Sequence, residues 1–177
     1  TPAAAQTVTG TINITGSVQA KCTVVSTSPA GSTFGTTVNL GELAQADGTL
    51  AADLATRFGT EGGAGLQAKV VCTSPDATVT VNADPLVSPS GAGAPTGYSN
   101  TVHYQADVTF TKTTGTTQVS NDTTAAAASS SPLGGRLSAT ATNVSVATSN
   151  WRTPSTGDLL TAGTDYSGKI VVTVSPL

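Results

Sequence analysis

Residues 7–22, TVTGTINITGSVQAKC, alternate without a break: Val8, Gly10, Ile12, Ile14, Gly16, Val18, Ala20 and Cys22 are apolar or small. Thr7, Thr9, Thr11, Asn13, Thr15, Ser17, Gln19 and Lys21 between them are polar. Successive side chains of a strand point to opposite faces, so this pattern describes a strand with one buried face. Its length is the constraint. Sixteen residues in one register extend about 50 Å at about 3.3 Å per residue, whereas strands of compact domains stop by about ten residues. One small sandwich cannot bury the whole stretch. A break near Gly16 uses both halves: residues 18–22 stay with their own domain and Val8, Gly10, Ile12 and Ile14 enter another copy of the chain. The chain then divides into an extension, residues 1–16, and a β-sandwich domain, residues 17–177.

Composition narrows the partners. Only 10% of the 177 residues are charged and the net charge is -3, which leaves no basic face for nucleic acid. No apolar run approaches the length of about eighteen residues that a membrane-spanning helix needs. Aromatic residues are 4% of the chain, too few for the two girdles of a membrane barrel. The reading is of a soluble all-β protein without membrane insertion.

Cys22 closes the alternating stretch and Cys72 closes a second strand-like run, residues 66–72. Two cysteines are too few for a structural zinc site. They form either one disulfide or two separate buried thiols, and the exported look of the chain favours the disulfide. The opening TPAAAQ resembles the flank of a removed export signal, so a mature product is expected.

The rest of the chain reads as short strands between turns. Expected strands cover residues 18–26, 34–43, 66–73, 78–82, 101–112 and 166–174, with a late one near residues 137–146. In that late strand Leu137, Ala139, Ala141, Asn143 and Ser145 share one face and Val144 and Val146 the other, leaving its register open. Leu50, Leu54 and Phe58 recur at helical spacing, so residues 50–58 are expected to form a short surface helix capped by Thr49 and ended by Gly59. Residues 85–97 and the low-complexity residues 120–135 are expected loops. About seven strands without helical crossovers indicate a β-sandwich.

Chemistry is sparse. The one histidine, His103, falls on the polar face of its strand and is expected to meet solvent. The aspartates stand singly and match no calcium loop. Trp151 is expected to anchor core or loop, with a sugar-binding face as its alternative use. Asn13, Asn121 and Asn143 each begin a glycosylation-like triplet. The expectation is of a protein that is no enzyme and carries no cofactor or metal.

The segments VTGTINITGSVQAKCTV, FGTTVNLGEL, LQAKVVCTS and YSGKIVVTVSP, in that order, resemble the archaic chaperone-usher pilins, the family of spore-coat-protein-U-like domains that includes Csu-type major pilins. The resemblance covers both ends and the cysteine pair; residues 85–154 are not diagnostic. It implies an incomplete immunoglobulin-like sandwich with one disulfide, completed by donor-strand exchange. Ile170, Val172 and Val174 of the carboxy-terminal strand would line the groove. Val8, Gly10, Ile12 and Ile14 of the next subunit would fill it. The implied partners are further copies of the chain, a periplasmic chaperone and an outer-membrane usher, and the implied product is a cell-surface pilus supporting adhesion and biofilm formation. Pro176 has no N–H, so pairing of the last strand is expected to stop before it. The alternative is a secreted β-sandwich that binds carbohydrate or acts as an adhesin module, through Trp151, Tyr98 and residues 85–97.

Overall fold

The computed structural model of the chain describes residues 1–139 and 141–177. Among these the strands are β1 (Cys22–Val24), β2 (Gln67–Ala68), β3 (Val70–Cys72), β4 (Ala77–Val87), β5 (Tyr98–Ser99), β6 (Thr101–Thr111), β7 (Thr116–Asp122), β8 (Ser129–Pro132), β9 (Val144–Arg152), β10 (Leu159–Leu160) and β11 (Ser167–Pro176). One α-helix, α1 (Leu54–Gly62), leads into a 3-10 turn, Gly63–Leu66. The fold is all-β, with two layers. β11, β4 and β8 form one, and β7, β6, β9 and β2 the other; β4 and β6 pair only at Leu86↔Val102 and Val87↔Thr101, which joins the layers at a corner.

Alternation explains the core. Ala77, Val79, Val81 and Ala83 of β4 face inward, as do Tyr104, Ala106, Val108 and Phe110 of β6, and all eight are buried. Removing such side chains from water is worth about 1.5–3 kcal/mol for each Val or Phe, which fixes the register of both strands, because a one-residue slip would turn every one of them outward.

Several expectations need correction. β4 continues past residue 82 through Pro85, because Pro85 falls where the β11 register shifts between Ser167 and Lys169, a bulge that demands no ladder N–H. Gly168 is needed there: a Cβ on it would lie 2.8 Å from the carbonyl oxygens of Asp84 and Pro85. The low-complexity residues 120–135 are not a free loop, since they hold the end of β7, all of β8 and the buried Leu133. In the late strand the Val144/Val146 face wins the core, and Thr148 continues it.

The helix starts four residues late. Thr49 is held in a turn by Asp47, whose Oδ1 accepts from both its N–H (3.0 Å) and its hydroxyl (2.6 Å), and Leu50 bridges to Ala44. Asp53 becomes the N-cap position and Gly59 lies inside the helix, which runs to Gly62. Leu54 and Phe58 are its buried stripe.

The first two expected strands also differ. Only Cys22–Val24 of residues 18–26 pairs, antiparallel to β3, and places Cys22 opposite Cys72, where the disulfide forms. Val18 and Ala20 stay outside the sheet and exposed. The expected strand at residues 34–43 forms no ladder, although Phe34, Val38 and Leu40 lie against the core.

Candidate functional site

β11 is paired on one side only. Its partner is β4, and no described strand pairs with its other edge. The register places Lys169, Val171, Thr173 and Ser175 opposite Asp84, Asn82, Thr80 and Thr78, and the Leu177 N–H continues the series by donating to the Asp76 carbonyl (3.3 Å). In an antiparallel ladder the backbone groups of alternate residues face alternate sides. The odd residues therefore serve β4, and the N–H and C=O of Ile170, Val172 and Val174 point to the open edge. Pro176 belongs to the even set. Its missing N–H is on the open side, so the β4 ladder carries on through Pro176↔Ala77 instead of stopping before it.

Across from this edge runs the unladdered segment, residues 33–43, which forms a lip. Between lip and β11 is a groove of about 1140 Å³, above the roughly 300–1,000 Å³ of ordinary small-molecule pockets. Residues 35–44 form one wall, Ile170 and Val172 the other, and Phe58, Leu66, Leu86, Tyr104, Val146 and Trp151 contribute to the floor. Val174, expected in the groove wall, does not line the groove; it packs on the same core beyond its end.

The floor is rigid. Tyr104 and Trp151 stack with centroids 4.7 Å apart and planes 23° from parallel. The Tyr104 hydroxyl donates toward the carbonyls of Asp84 (2.8 Å) and Lys169 (3.2 Å), tying the two layers together beside the bulge. Burial, and secondarily the Asp84 charge, pushes the Tyr104 phenol far above its usual range, so it stays a donor. The Trp151 N–H donates to Thr148 Oγ1 (3.1 Å). Trp151 is thus an anchor, half-buried with one face taken by Tyr104.

The alternating extension occupies no groove of its own. Val8, Ile12, Ile14 and Val18 are 89%, 88%, 91% and 82% exposed, and residues 1–21 join no strand. The body takes hold of the chain at Gln19 and Lys21: Thr73 Oγ1 donates to the Gln19 carbonyl (2.8 Å) and accepts from the Lys21 N–H (2.9 Å). The structure therefore brings Ile170 and Val172 together in one wall, joins Cys22 to Cys72, and leaves Val8, Gly10, Ile12 and Ile14 together in an exposed segment.

Other polar groups are structural. His103 does not simply meet solvent: its Nδ1 is 2.9 Å from Thr123 Oγ1, and desolvation with the nearby Arg152 charge lowers its pKa. Arg152 pairs with Asp122 at 2.8 Å, a bond that holds the Asp122 carboxyl far below the usual range. Burial tends to raise the Asp107 pKa, but hydrogen bonds from Ser120, Ser149 and the glutamines Gln105 and Gln118 outweigh it, and the net shift is downward. Among the described residues no three His, Cys, Asp or Glu side chains stand together as metal ligands would.

Two asparagines hold backbone that the ladders leave unserved. Asn143 is buried; its Oδ1 accepts from the Val70 N–H (2.8 Å) and its Nδ2 donates to the carbonyls of Val70 (2.7 Å) and Ser138 (2.9 Å). Asn121, also buried, accepts from the Ala83 N–H (2.9 Å) and donates to the Ala127 carbonyl (3.0 Å). Each side chain replaces a piece of missing ladder. The available signal was an asparagine at the end of a strand pattern, next to residues otherwise without partners.

No family model matches the chain, and neither a curated protein nor a solved structure does. Among the described residues no helix is long and apolar enough to cross a membrane, and the disulfide is compatible with an exported protein.

Proposed function

We propose that this chain is the structural subunit of an extracellular filament, in which residues 7–15 of one copy add as a strand to the open edge of β11 in the next. One observation carries the reading: a single chain has both an apolar groove beside an unpaired sheet edge and an unpaired, exposed segment with one-face strand patterning. Each supplies what the other lacks. The edge offers the N–H and C=O groups of Ile170, Val172 and Val174, and the groove offers an apolar floor to every second side chain of a strand. Val8, Ile12 and Ile14 fill it, with Gly10 between them, at about 1.5–3 kcal/mol for each large side chain buried. The incomplete sandwich is of the immunoglobulin-like kind that the sequence resemblance implies.

An interface that joins an extension to a groove elsewhere on the molecule is heterologous and does not close on itself, so it propagates as a filament. Before assembly the same edge is an aggregation hazard. A periplasmic chaperone that covers it and an outer-membrane usher that accepts the covered subunit answer that hazard. A surface pilus that mediates adhesion and biofilm formation is the product. The carbohydrate-binding alternative is left with the second ring face of Trp151 alone, because the first is stacked on Tyr104 and its N–H is spent on Thr148.

The test is size-exclusion and gel mobility without boiling, wild type beside Ile12→Asp with Ile14→Asp. Wild type is expected to run as a ladder of heat-sensitive multimers and the double variant as a monomer. Identical folded monomers for both would refute the proposal.

A further inference from the structure

The lip has no ladder of its own to hold it. Among the described residues 33–42, no backbone group takes part in a backbone hydrogen bond; the flanking ties are Val24↔Gly31 before it and Ala44↔Leu50 after it. Between these points Phe34, Val38 and Leu40 pack on the core, and the polar and steric ties come from α1 and the turn that follows. Arg57 donates through Nη1 to the carbonyls of Leu40 (3.1 Å) and Glu42, while its Nη2 meets Asp53 Oδ1 at 2.6 Å. The carboxylate, one helical turn earlier, orients the guanidinium through Nη2, which leaves Nη1 to serve both lip carbonyls, a division of labour between two fixed nitrogens that a single ammonium nitrogen lacks.

A second contact is steric. Gly65 sits so close to the lip that a Cβ there would lie 2.5 Å from Thr36 Cβ. The helix is held by Leu54, which packs with Ala51 and with Leu43 at the end of the lip, and by Phe58, which reaches the groove floor. One short unit thus grips the lip at both ends of its groove-lining stretch and is anchored in the core between them.

We infer that Arg57, oriented by Asp53, and Gly65 are positioning residues for strand addition: they hold the lip at the distance from β11 that one inserted strand requires, without being part of the inserted strand. This rests on the filament reading above. A wall held in place before the strand arrives spares the cost of ordering it during insertion, so loss of the brace falls on the assembly rate.

The experiment follows multimer formation on unboiled gels after dilution of the full chain from denaturant. Arg57→Ala is expected to slow assembly about tenfold, the scale of losing charge-assisted bonds. Arg57→Lys falls between it and wild type, and millimolar ethylguanidinium restores part of the rate to Arg57→Ala alone. Asp53 makes no capping hydrogen bond, so Asp53→Asn leaves the helix start intact; it is expected to slow assembly by a smaller factor, and it decides the matter if Arg57→Ala fails to fold by Trp151 fluorescence. The inference is overturned if Arg57→Ala and Asp53→Asn assemble at the wild-type rate, or if Arg57→Ala slows only in proportion to a lowered melting temperature with no rescue by ethylguanidinium. Assembly by the Ile12→Asp, Ile14→Asp variant would instead refute the filament reading beneath it.

Discussion

The extension and β11 carry the same pattern and meet different fates. Val8, Ile12 and Ile14 alternate with threonines and asparagine as cleanly as Ile170, Val172 and Val174 alternate with lysine, valine and threonine, yet β11 is a strand over ten residues and the extension is none. Alternation states which face of a strand would be buried. It supplies neither the neighbour that pairs the backbone nor the surface that covers the face. β11 finds both in β4 and the core, on one side; the extension finds neither within its own fold. A strand pattern left without a partner beside a sheet edge left without a partner is the asymmetry on which the proposed function rests.

The largest effect expected from breaking this comparison is at β11. Val172→Asp puts a carboxylate into the groove wall, and burial of an unpaired charge costs several kcal/mol, so heat-sensitive multimers should disappear. Val171→Asp, on the outward face of the same strand, should assemble as wild type does. Equal behaviour of the two variants on unboiled gels would mean that the inner face of β11 takes no part.

Loosening the joint between the two regions comes next. Cys22 is where the extension's pattern enters the body, and the Cys22–Cys72 bridge closes a separation of 50 residues. Replacing both by serine should lower the unfolding free energy by about 2–5 kcal/mol, measured by denaturant titration. A loss well below that range would show that the β1/β3 pairing holds the root of the extension without the bridge.

The smallest effect sharpens the comparison by leaving both regions untouched. Asn143→Ala strands the buried N–H and C=O of Val70 and should cost about 1–3 kcal/mol in the unassembled chain, read from its denaturation midpoint, with the heat-sensitive multimers still forming.

What the sequence made legible follows physical range. The period of β6, β11 and the first stretch was readable because it depends on each strand's own residues, and the cysteines could be placed in strands for the same reason. Where the outcome depends on a distant partner, sequence failed. Residues 34–43 have strand composition, but the neighbour they would pair with is absent, so they became a lip. Serines 129–131 look like linker, but β4 presents an edge to them and they became β8. Thr49 has the side chain of a helix cap, but Asp47 two residues earlier holds its N–H and hydroxyl in a turn. The side-chain bridges of Asn121, Asn143 and Arg57 join residues far apart in the chain, and no local pattern announces them.

The central claim is tested most directly by amide hydrogen exchange along β11, comparing assembled wild type with the Ile12→Asp, Ile14→Asp variant. The N–H groups of Val171, Thr173 and Ser175 face β4 and should be protected in both. Those of Ile170, Val172 and Val174 face the open edge, and they should exchange rapidly in the variant and slowly in the assembled protein. Protection gained at every second residue would place a new strand on that edge; rapid exchange at Ile170, Val172 and Val174 in both samples would contradict the account.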